Sequence, residues 1–175
     1  MDPSDLNLDI LIEDQRWADT LPDLERMTRD ALESCFNIAE IKLPCPGKKP
    51  EISIVFADDK MVHQINKTYR NNDKPTNVIS FAYLEDEEHP EQAENEAFSM
   101  GDIILSYETV EREAAEQQKS LKDHTLHLIV HGCLHLFGYR HDDDLQAQDM
   151  EDKEVMILRK MNVKNPYMNE KNVAY

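Results

Sequence analysis

One stretch in the C-terminal half of the chain reads His131-Gly132-Cys133-Leu134-His135-Leu136-Phe137-Gly138-Tyr139-Arg140-His141. His131 and His135 are four residues apart, so on a helix both imidazoles lie on one face. Gly138 stands where this helix is predicted to end, because glycine accepts the left-handed conformation that terminates helices. The chain can then turn back and bring His141 to the same point. Three converging imidazoles with an open fourth position are typical of a catalytic zinc site.

The same histidine and glycine spacing occurs in the H-E-x-x-H-x-x-G-x-x-H signature of metzincin proteases. Gly132, however, stands where those proteases carry their general-base glutamate. A metal site without that carboxylate is a poor candidate for peptide cleavage of the zincin type. A zinc peptidase is therefore kept as one alternative, and a non-enzymatic protein that needs zinc only for its fold is kept as another.

Composition indicates a single soluble domain. The chain has 175 residues, of which 40% are hydrophobic, and this suits one globular core. Cys35, Cys45 and Cys133 form no C-x-x-C pair and no even set, which favours a reducing compartment. The sequence has no signal-peptide pattern and no apolar run near the roughly 18 residues of a membrane span. We therefore expect a cytoplasmic protein without a membrane partner.

Charge is distributed unevenly along the chain. The net charge is −17, which taken alone argues against nucleic acid, because phosphate binding needs a basic surface. Residues 42–74 nevertheless hold seven basic and four acidic residues, whereas residues 85–97 hold seven acidic residues and no basic one. We expect 85–97 to be a mobile acidic loop and 163–175 to be a loose polar tail.

Hydrophobic periodicity predicts an α+β fold, with one domain over residues 1–175. Strands are expected over 6–12, 52–56, 78–83 and 100–106, and helices over 21–36, 58–69, 108–119, 121–137 and 145–161. The helix over 121–137 is the most apolar, so we expect it to be central and buried. It also carries His127, one turn before His131, which lines the same groove but is expected to lie outside the metal ligands.

Three segments carry a resemblance to a known family. The stretch from His131 to His141 resembles the motif H-G-x-L-H-L-x-G-Y-D-H of the YbeY family, with Arg140 in place of Asp. Residues 66–81, N-K-T-Y-R-N-N-D-K-P-T-N-V-I-S-F, resemble that family's N-x-x-Y-R-x-x-D-x-P-T-D-V-L-S-F, with Asn77 in place of Asp. Residues 101–106, G-D-I-I-L-S, resemble its G-D-I-x-I-S. The chain is thus similar to a family of metal-dependent endoribonucleases of ribosomal RNA maturation, from its first strand to its last helix.

This resemblance implies a small mixed four-stranded sheet covered by helices, with the ligand helix at the centre. It implies one zinc ion per chain, held by His131, His135 and His141, and a role in catalysis or RNA binding for Arg70. Arginine suits a phosphate clamp because its guanidinium meets phosphate oxygens through two parallel hydrogen bonds. The implied function is a zinc-dependent endoribonuclease that prefers single strands. It would act at the 3′ end of small-subunit ribosomal RNA and in ribosome quality control.

The implied partners are ribosomal RNA and ribosome-associated proteins, with no DNA. The non-enzymatic alternative named above would be an adaptor that docks on the ribosome.

Overall fold

The structure is a computed structural model that describes residues 5–39, 41, 43, 47–83 and 97–168. These residues form four strands and six helices. In chain order they are β1 (Asn7–Ile12), α1 (Arg16–Thr20), α2 (Leu24–Ile38), β2 (Lys49–Ala57), α3 (Asp59–Arg70), β3 (Val78–Ala82), β4 (Ala97–Ser106), α4 (Tyr107–Glu116), α5 (Leu121–Leu136) and α6 (Asp144–Lys160). The predicted α+β fold is confirmed, and α1 is the one element here that periodicity did not predict, because five residues are too few to show a period.

The four strands form one mixed sheet in the order β1-β2-β4-β3. The pairs β1–β2 and β2–β4 are parallel, whereas β3 runs antiparallel to β4. Successive side chains of a strand point to opposite faces, and Ile103 and Ile104 of β4 accordingly enter two different apolar clusters. The larger cluster packs the sheet against α2, α5 and α6, and the smaller one packs it against α3 through Val62.

A glycine allows β3 and β4 to pair closely at a point where they approach α5. Gly101 of β4 has a φ of +138°, a conformation that side chains rarely adopt. A Cβ at this position would lie 1.9 Å from the backbone oxygen of Phe81 and 2.9 Å from Cδ2 of Leu136. No other residue fits here without moving the backbone of β3, and this explains the glycine of the G-D-I-I-L-S segment.

Helix α5 is the buried centre of the domain, as the sequence predicted. It packs against α2, α4, α6 and both β3 and β4. The Ser120 side chain caps its first turn by accepting a hydrogen bond from the backbone N–H of Asp123. Beyond its last residue Gly138 has a φ of +91°, so the chain turns back after one left-handed residue. This turn returns His141 toward the helix.

Gly132 lies on the side of α5 that faces the sheet. A Cβ on this residue would lie 2.9 Å from Cγ2 of Ile103 and 3.0 Å from Oγ of Ser80. The helix therefore crosses the sheet too closely for any side chain at this position. The absence of a glutamate here has a packing cause, and a glutamate at 132 would be directed into the core.

The structure describes only part of the two segments that the sequence predicted to be loose. The acidic segment 85–97 lies outside the described residues, except for Ala97, which begins β4. The C-terminal segment differs from the expectation over 163–168, because Val163 is buried in the larger core and Tyr167 contacts α5 and α6. Residues 169–175 lie outside the described residues. Among the helices that are described, none is long and apolar enough to cross a membrane.

Candidate metal centre

Three histidines converge at the C-terminal end of α5. His131 and His135 come from the helix, and His141 comes from the loop that follows Gly138. One ring nitrogen from each lies within 4.8 Å of the other two, and the Nε2 atoms of His131 and His135 are 3.0 Å apart. Three imidazole nitrogens this close together could hold one metal ion. The structure thus brings together the three residues that the sequence singled out.

The hydrogen bonds behind two of these rings fix which nitrogen points into the site. Nδ1 of His131 lies 2.6 Å from Oε1 of Glu154, and Nδ1 of His135 lies 3.0 Å from the backbone oxygen of Tyr139. Both partners accept hydrogen bonds, so both Nδ1 atoms carry the proton. The two Nε2 atoms then face each other as lone pairs, an arrangement that a cation between them would stabilise. This donor set fits a metal.

The protonation of His135 agrees with a ligand role. Burial, together with repulsion from the charges of His131 and His141, lowers the pKa of His135 to about 4. Its imidazole is therefore neutral at neutral pH. Only a neutral imidazole offers the lone pair that a metal needs.

Glu154 of α6 is the buried carboxylate behind the site. Its side chain is 1% exposed and accepts hydrogen bonds from Nδ1 of His131, from Nε2 of His127 at 3.3 Å and from the hydroxyl of Tyr167. Burial raises the pKa of Glu154, but the hydrogen bonds from His127 and His131 outweigh this effect and lower it to about 2. The carboxylate is therefore ionised, and its three donors make it a residue that positions His131.

Sequence reasoning missed Glu154 and Tyr167, although one signal was available for the first. Glu154 lies on the inward face of α6 with Met150, Ile157 and Leu158, all of which are buried. A charged residue on an apolar stripe needs a partner, because an unpaired buried charge is costly. Tyr167 gave no comparable signal, since it belongs to a segment without periodicity.

His127 lies next to the three histidines but is not one of the converging group. Its ring centroid is 6.4 Å from that of His131, and its Nε2 lies 3.3 Å from Glu154 Oε2 and 3.2 Å from the Tyr167 hydroxyl. With these contacts His127 supports the carboxylate that holds His131. The expectation that it lies outside the ligands stays a prediction.

Arg70 is the last residue of α3, and its side chain lines the same cleft as the three histidines. Its Nη2 donates a hydrogen bond of 2.7 Å to the backbone oxygen of Ser80, and its guanidinium carbon lies 5.7 Å from the centre of the Phe81 ring. Asp73, three residues after Arg70, contacts His63 at 2.7 Å and Lys67 at 3.3 Å.

Asp102 of β4, a carboxylate of the sheet, accepts a hydrogen bond from the hydroxyl of Tyr83. Among the described residues, none forms an ion pair with Arg70.

The cleft beside the histidines has a volume of about 620 Å³ and concentrates positive charge. Arg70, Lys119 and Arg140 line it, against the single carboxylate of Glu113 among the described lining residues. In a chain with a net charge of −17, this local excess of cations suits a negatively charged ligand. The overall acidity of the chain therefore does not extend to this surface.

Arg140 stands where the family motif has an aspartate, and it lies against His135, one of the three converging histidines. Its Nη1 donates a hydrogen bond of 3.0 Å to the backbone oxygen of Tyr139 and lies 3.3 Å from Nδ1 of His135. The Tyr139 oxygen thus accepts from both Arg140 and His135. The substitution replaces a negative charge with a positive one at this edge of the cleft and leaves the three histidines in place.

The chain is similar in sequence to known endoribonucleases over most of its length. The family model described as Endoribonuclease YbeY matches residues 11–162. An Endoribonuclease YbeY of Sinorhizobium fredii is 43% identical over 171 residues, covering 96% of this chain and 95% of the relative. One from Francisella philomiragia is 38% identical over 167 residues, covering 95% and 98%.

Among solved structures, the solution structure of TM1509 from Thermotoga maritima has a TM-score of 0.54 at 17% identity. It covers 95% of this chain and 93% of that one. At this identity the likeness bears on the fold alone.

Proposed function

The chain belongs to the YbeY family of endoribonucleases, and from this membership we propose that it is a metal-dependent enzyme that hydrolyses phosphodiester bonds in RNA. The observation that carries the proposal is the position of the three converging histidines in a cleft lined by Arg70, Lys119 and Arg140. A metal beside a positively charged surface suits a phosphodiester substrate.

The proposed cofactor is one zinc ion, held by His131, His135 and His141. Three neutral imidazoles are the ligand set of many catalytic zinc sites, whereas magnesium and calcium prefer oxygen ligands. Bound zinc supplies a Lewis acid, which lowers the pKa of a coordinated water to about 7 and polarises a phosphoryl oxygen.

The chain's own residues have separate tasks in this proposal. Glu154 keeps the proton of His131 on Nδ1, so that Nε2 is free to bind the metal. Arg70 uses one N–H to hold Ser80 and directs its remaining donors to the phosphate, whose negative charge increases in the transition state. Arg140 adds a second cation beside His135.

We further propose that the substrate is single-stranded ribosomal RNA, at the 3′ end of the small-subunit species and in ribosome quality control, as the family resemblance implies. Ribosomal proteins or other ribosome-associated factors would supply additional affinity, because the chain as a whole carries a net charge of −17. The buried thiols of Cys35 and Cys133 are unbridged, which supports a reducing compartment and hence the cytoplasm.

The alternative of a zinc peptidase has less support. Its general base would occupy position 132, where a side chain would meet Ile103 and Ser80. The alternative of a ribosome-bound adaptor does not account for the cations of the cleft beside an open metal position. An enzyme needs these cations at the reacting phosphate, whereas an adaptor could carry them anywhere on its surface.

Metal analysis combined with RNA cleavage tests the proposed function. We expect about one zinc per chain, cleavage of single-stranded RNA, loss of cleavage after chelation and its return when zinc is restored. Circular dichroism in the chelated state separates the enzyme from the adaptor, because an adaptor would lose its fold with the metal. Absence of cleavage by the zinc-loaded, folded protein, or hydrolysis of peptides instead, would contradict the proposal.

A further inference from the structure

Tyr69 is an exposed aromatic residue at the end of α3. It continues the helical stripe of Val62 and Ile65, which pack on the sheet, but it lies against the edge strand β3 and is 72% exposed. No other aromatic side chain of the described residues is exposed to this extent. An isolated exposed ring needs no explanation, so the neighbours of Tyr69 decide whether it has a function.

Phe81 of β3 stands between Tyr69 and Arg70. Its ring meets that of Tyr69 edge to face, with the centroids 5.8 Å apart, and the guanidinium carbon of Arg70 lies 5.7 Å from its centre. Phe81 itself packs against the smaller core cluster, so it gives both neighbours a fixed support. Because so much of Tyr69 is exposed, at least one face of its ring is open to a ligand.

Ser80 connects these rings to the candidate metal centre. Its backbone oxygen accepts the hydrogen bond of 2.7 Å from Arg70, and its Oγ would lie 3.0 Å from a Cβ on Gly132, which follows the first of the converging histidines. Successive residues of a strand point to opposite faces of the sheet, so Ser80 faces α5 while Phe81 faces α3. An RNA strand bound to Arg70 beside the histidines can therefore pass around the edge of β3 and reach Tyr69.

The cleft itself offers a base no acceptor at its one carboxylate. Both oxygens of Glu113 accept hydrogen bonds from Asn77, and Oε2 also lies 2.8 Å from Nε2 of His124. Burial raises the pKa of Glu113, but the hydrogen bonds from His124 and Asn77 hold it below its usual range. This carboxylate is thus ionised and satisfied within the protein. An exposed aromatic ring, by contrast, binds any base through its face.

The charges around the rings suit a neutral base rather than a phosphate. Asp102 is paired in register with Phe81 and accepts a hydrogen bond from the hydroxyl of Tyr83. Its negative charge disfavours phosphate on this face of the sheet, whereas Arg70 attracts phosphate at the border of the cleft. One nucleotide satisfies both preferences when its phosphate lies at Arg70 and its base lies on Tyr69.

We propose that Tyr69, supported by Phe81, is a stacking platform for the base of the nucleotide whose phosphate Arg70 holds; this rests on the proposed RNA substrate. Stacking on an aromatic ring tolerates every base, because each base has a π-face. A base reaches the platform only when it is unpaired and unstacked from its neighbours. The platform thus gives the proposed preference for single strands a physical cause in this chain.

Binding of a fluorescent RNA strand tests the platform. The probe is an oligouridine that carries 2-aminopurine at one position and 2′-O-methyl groups throughout, and gel electrophoresis verifies that it stays intact during the titration. Stacking on Tyr69 should quench the 2-aminopurine fluorescence when the zinc-loaded full chain is added. This measurement uses the unaltered protein, so its outcome does not depend on whether a variant folds. Binding of the strand without quenching would overturn the platform.

Three variants assign the signal to the ring of Tyr69. Tyr69→Leu should bind the strand about tenfold more weakly and lose the quenching, since stacking on one aromatic ring contributes about this factor. Tyr69→Phe keeps the ring and should bind like the wild type. Met61→Ala, which shortens an exposed apolar side chain at the other end of α3, is the matched control. Melting temperatures verify that all three variants are folded.

Two results with these variants contradict the platform. Unchanged RNA affinity in folded Tyr69→Leu would remove the ring from the RNA site and leave it as a contact for a protein partner. An equal loss of affinity in Tyr69→Phe and Tyr69→Leu would assign the effect to the hydroxyl group instead of to stacking.

Kinetics of RNA cleavage separate the platform from the proposed function. In Tyr69→Leu the KM for single-stranded RNA should rise about tenfold with little change in kcat, because the base contact is equally present before and during the reaction. Cleavage with an unchanged KM overturns the platform alone. Quenching on binding, with no cleavage of any RNA, retains the platform and overturns the endoribonuclease.

Discussion

The carboxylate of Glu154 and the imidazole of His131 are joined by a hydrogen bond of 2.6 Å between Oε1 and Nδ1, although 23 residues separate them in the chain. This contact connects α6 to the candidate metal centre on α5. It fixes the ring of His131 with Nε2 toward the other two histidines. A buried carboxylate that holds a metal-binding histidine in this way raises the affinity of the site for its metal.

Replacing Glu154 with glutamine should weaken metal binding. Glutamine keeps the shape of the side chain but removes the charge that stabilises Nδ1–H of His131, so we expect zinc affinity to fall about 10- to 100-fold. Competition with a chromophoric chelator measures this affinity, and the visible spectrum of the cobalt-substituted protein reports any change in ligand geometry. D152N, which removes an exposed carboxylate from the same helix, is the control. Equal zinc affinity in E154Q and D152N would show that Glu154 has a purely structural role.

His127→Ala and His131→Ala should differ in zinc content. His127 contacts Glu154 and Tyr167 and lies outside the converging group, so its removal should lower zinc affinity by no more than the loss of a supporting contact. Removing His131 takes away one of three ligands, and stoichiometric zinc should be lost. Metal analysis after dialysis of both folded variants decides the point. Loss of zinc from His127→Ala to the same extent would make His127 a ligand.

Substitution of Arg70 should reduce RNA cleavage and leave metal binding intact. We expect Arg70→Ala to lower turnover about 100-fold, the typical effect of removing one donor to transition-state charge. Arg70→Lys should recover only part of this loss, because lysine lacks the planar fork. Turnover, zinc content and melting temperature are measured on the same proteins, with Arg29→Ala on the exposed face of α2 as the control. Unchanged turnover per folded Arg70→Ala molecule would remove Arg70 from the active site.

Alanine should be tolerated far better at Gly138 than at Gly101. Both glycines have positive φ, but a Cβ at 138 meets nothing within 4 Å, whereas a Cβ at 101 would lie 1.9 Å from the backbone oxygen of Phe81. Gly138→Ala should therefore cost about 1–2 kcal/mol for the left-handed conformation alone. Gly101→Ala should cost distinctly more, because strand pairing must change as well. Urea denaturation of both variants measures the free energies of unfolding. Equal losses of stability in the two variants would contradict the close approach of Phe81 to Gly101.

Asp59 should make the stability of the protein depend on pH in the acid range. Burial raises its pKa, but hydrogen bonds from Ser106 and from Thr109, the latter 2.6 Å from Oδ1, hold it below the usual value. The folded state thus releases this proton more readily than the unfolded state does. The resulting stabilisation is complete above the unfolded pKa, near 4, and is lost as pH falls through the lower folded pKa.

We therefore expect the difference in unfolding free energy between the wild type and Asp59→Asn to be constant at neutral pH and to shrink below about pH 4. Chemical denaturation across this range measures it. A difference that does not change with pH would mean that Asp59 stabilises the fold through the shape of its side chain and not through its charge.

Two features were predictable from the sequence. They are the strands and helices that have a strong hydrophobic periodicity, and the histidine motif over residues 131–141. The boundaries of α5 agree with the 121–137 expectation because its cap, its apolar length and Gly138 are all local signals. The convergence of His131, His135 and His141 was predictable for the same reason, since a helix turn and one left-handed residue determine it. Arg70 required the family resemblance, because nothing in its neighbourhood indicates that the end of α3 brings it to the cleft beside β3.

Contacts made across long sequence distances were not predictable in this way. Glu154 and Tyr167 reach the metal centre only through the packing of α6 on α5, and Glu113 reaches His124 only through the packing of α4. The reason for the glycine at 132 was also hidden, because it depends on how closely the helix crosses Ile103. In each case the relevant partner belongs to a different element, and periodicity records only which face of an element is buried.

The order of these residues along the chain has a consequence for biosynthesis. The three histidines leave the ribosomal tunnel before Glu154 and Tyr167, which hold His131 and His127 in position. A nascent chain that ends shortly after His141 thus carries the three converging histidines but not the carboxylate that orients His131. High-affinity metal capture should begin only when α6 has been synthesised and has docked on α5, which delays activity toward RNA until translation is nearly finished.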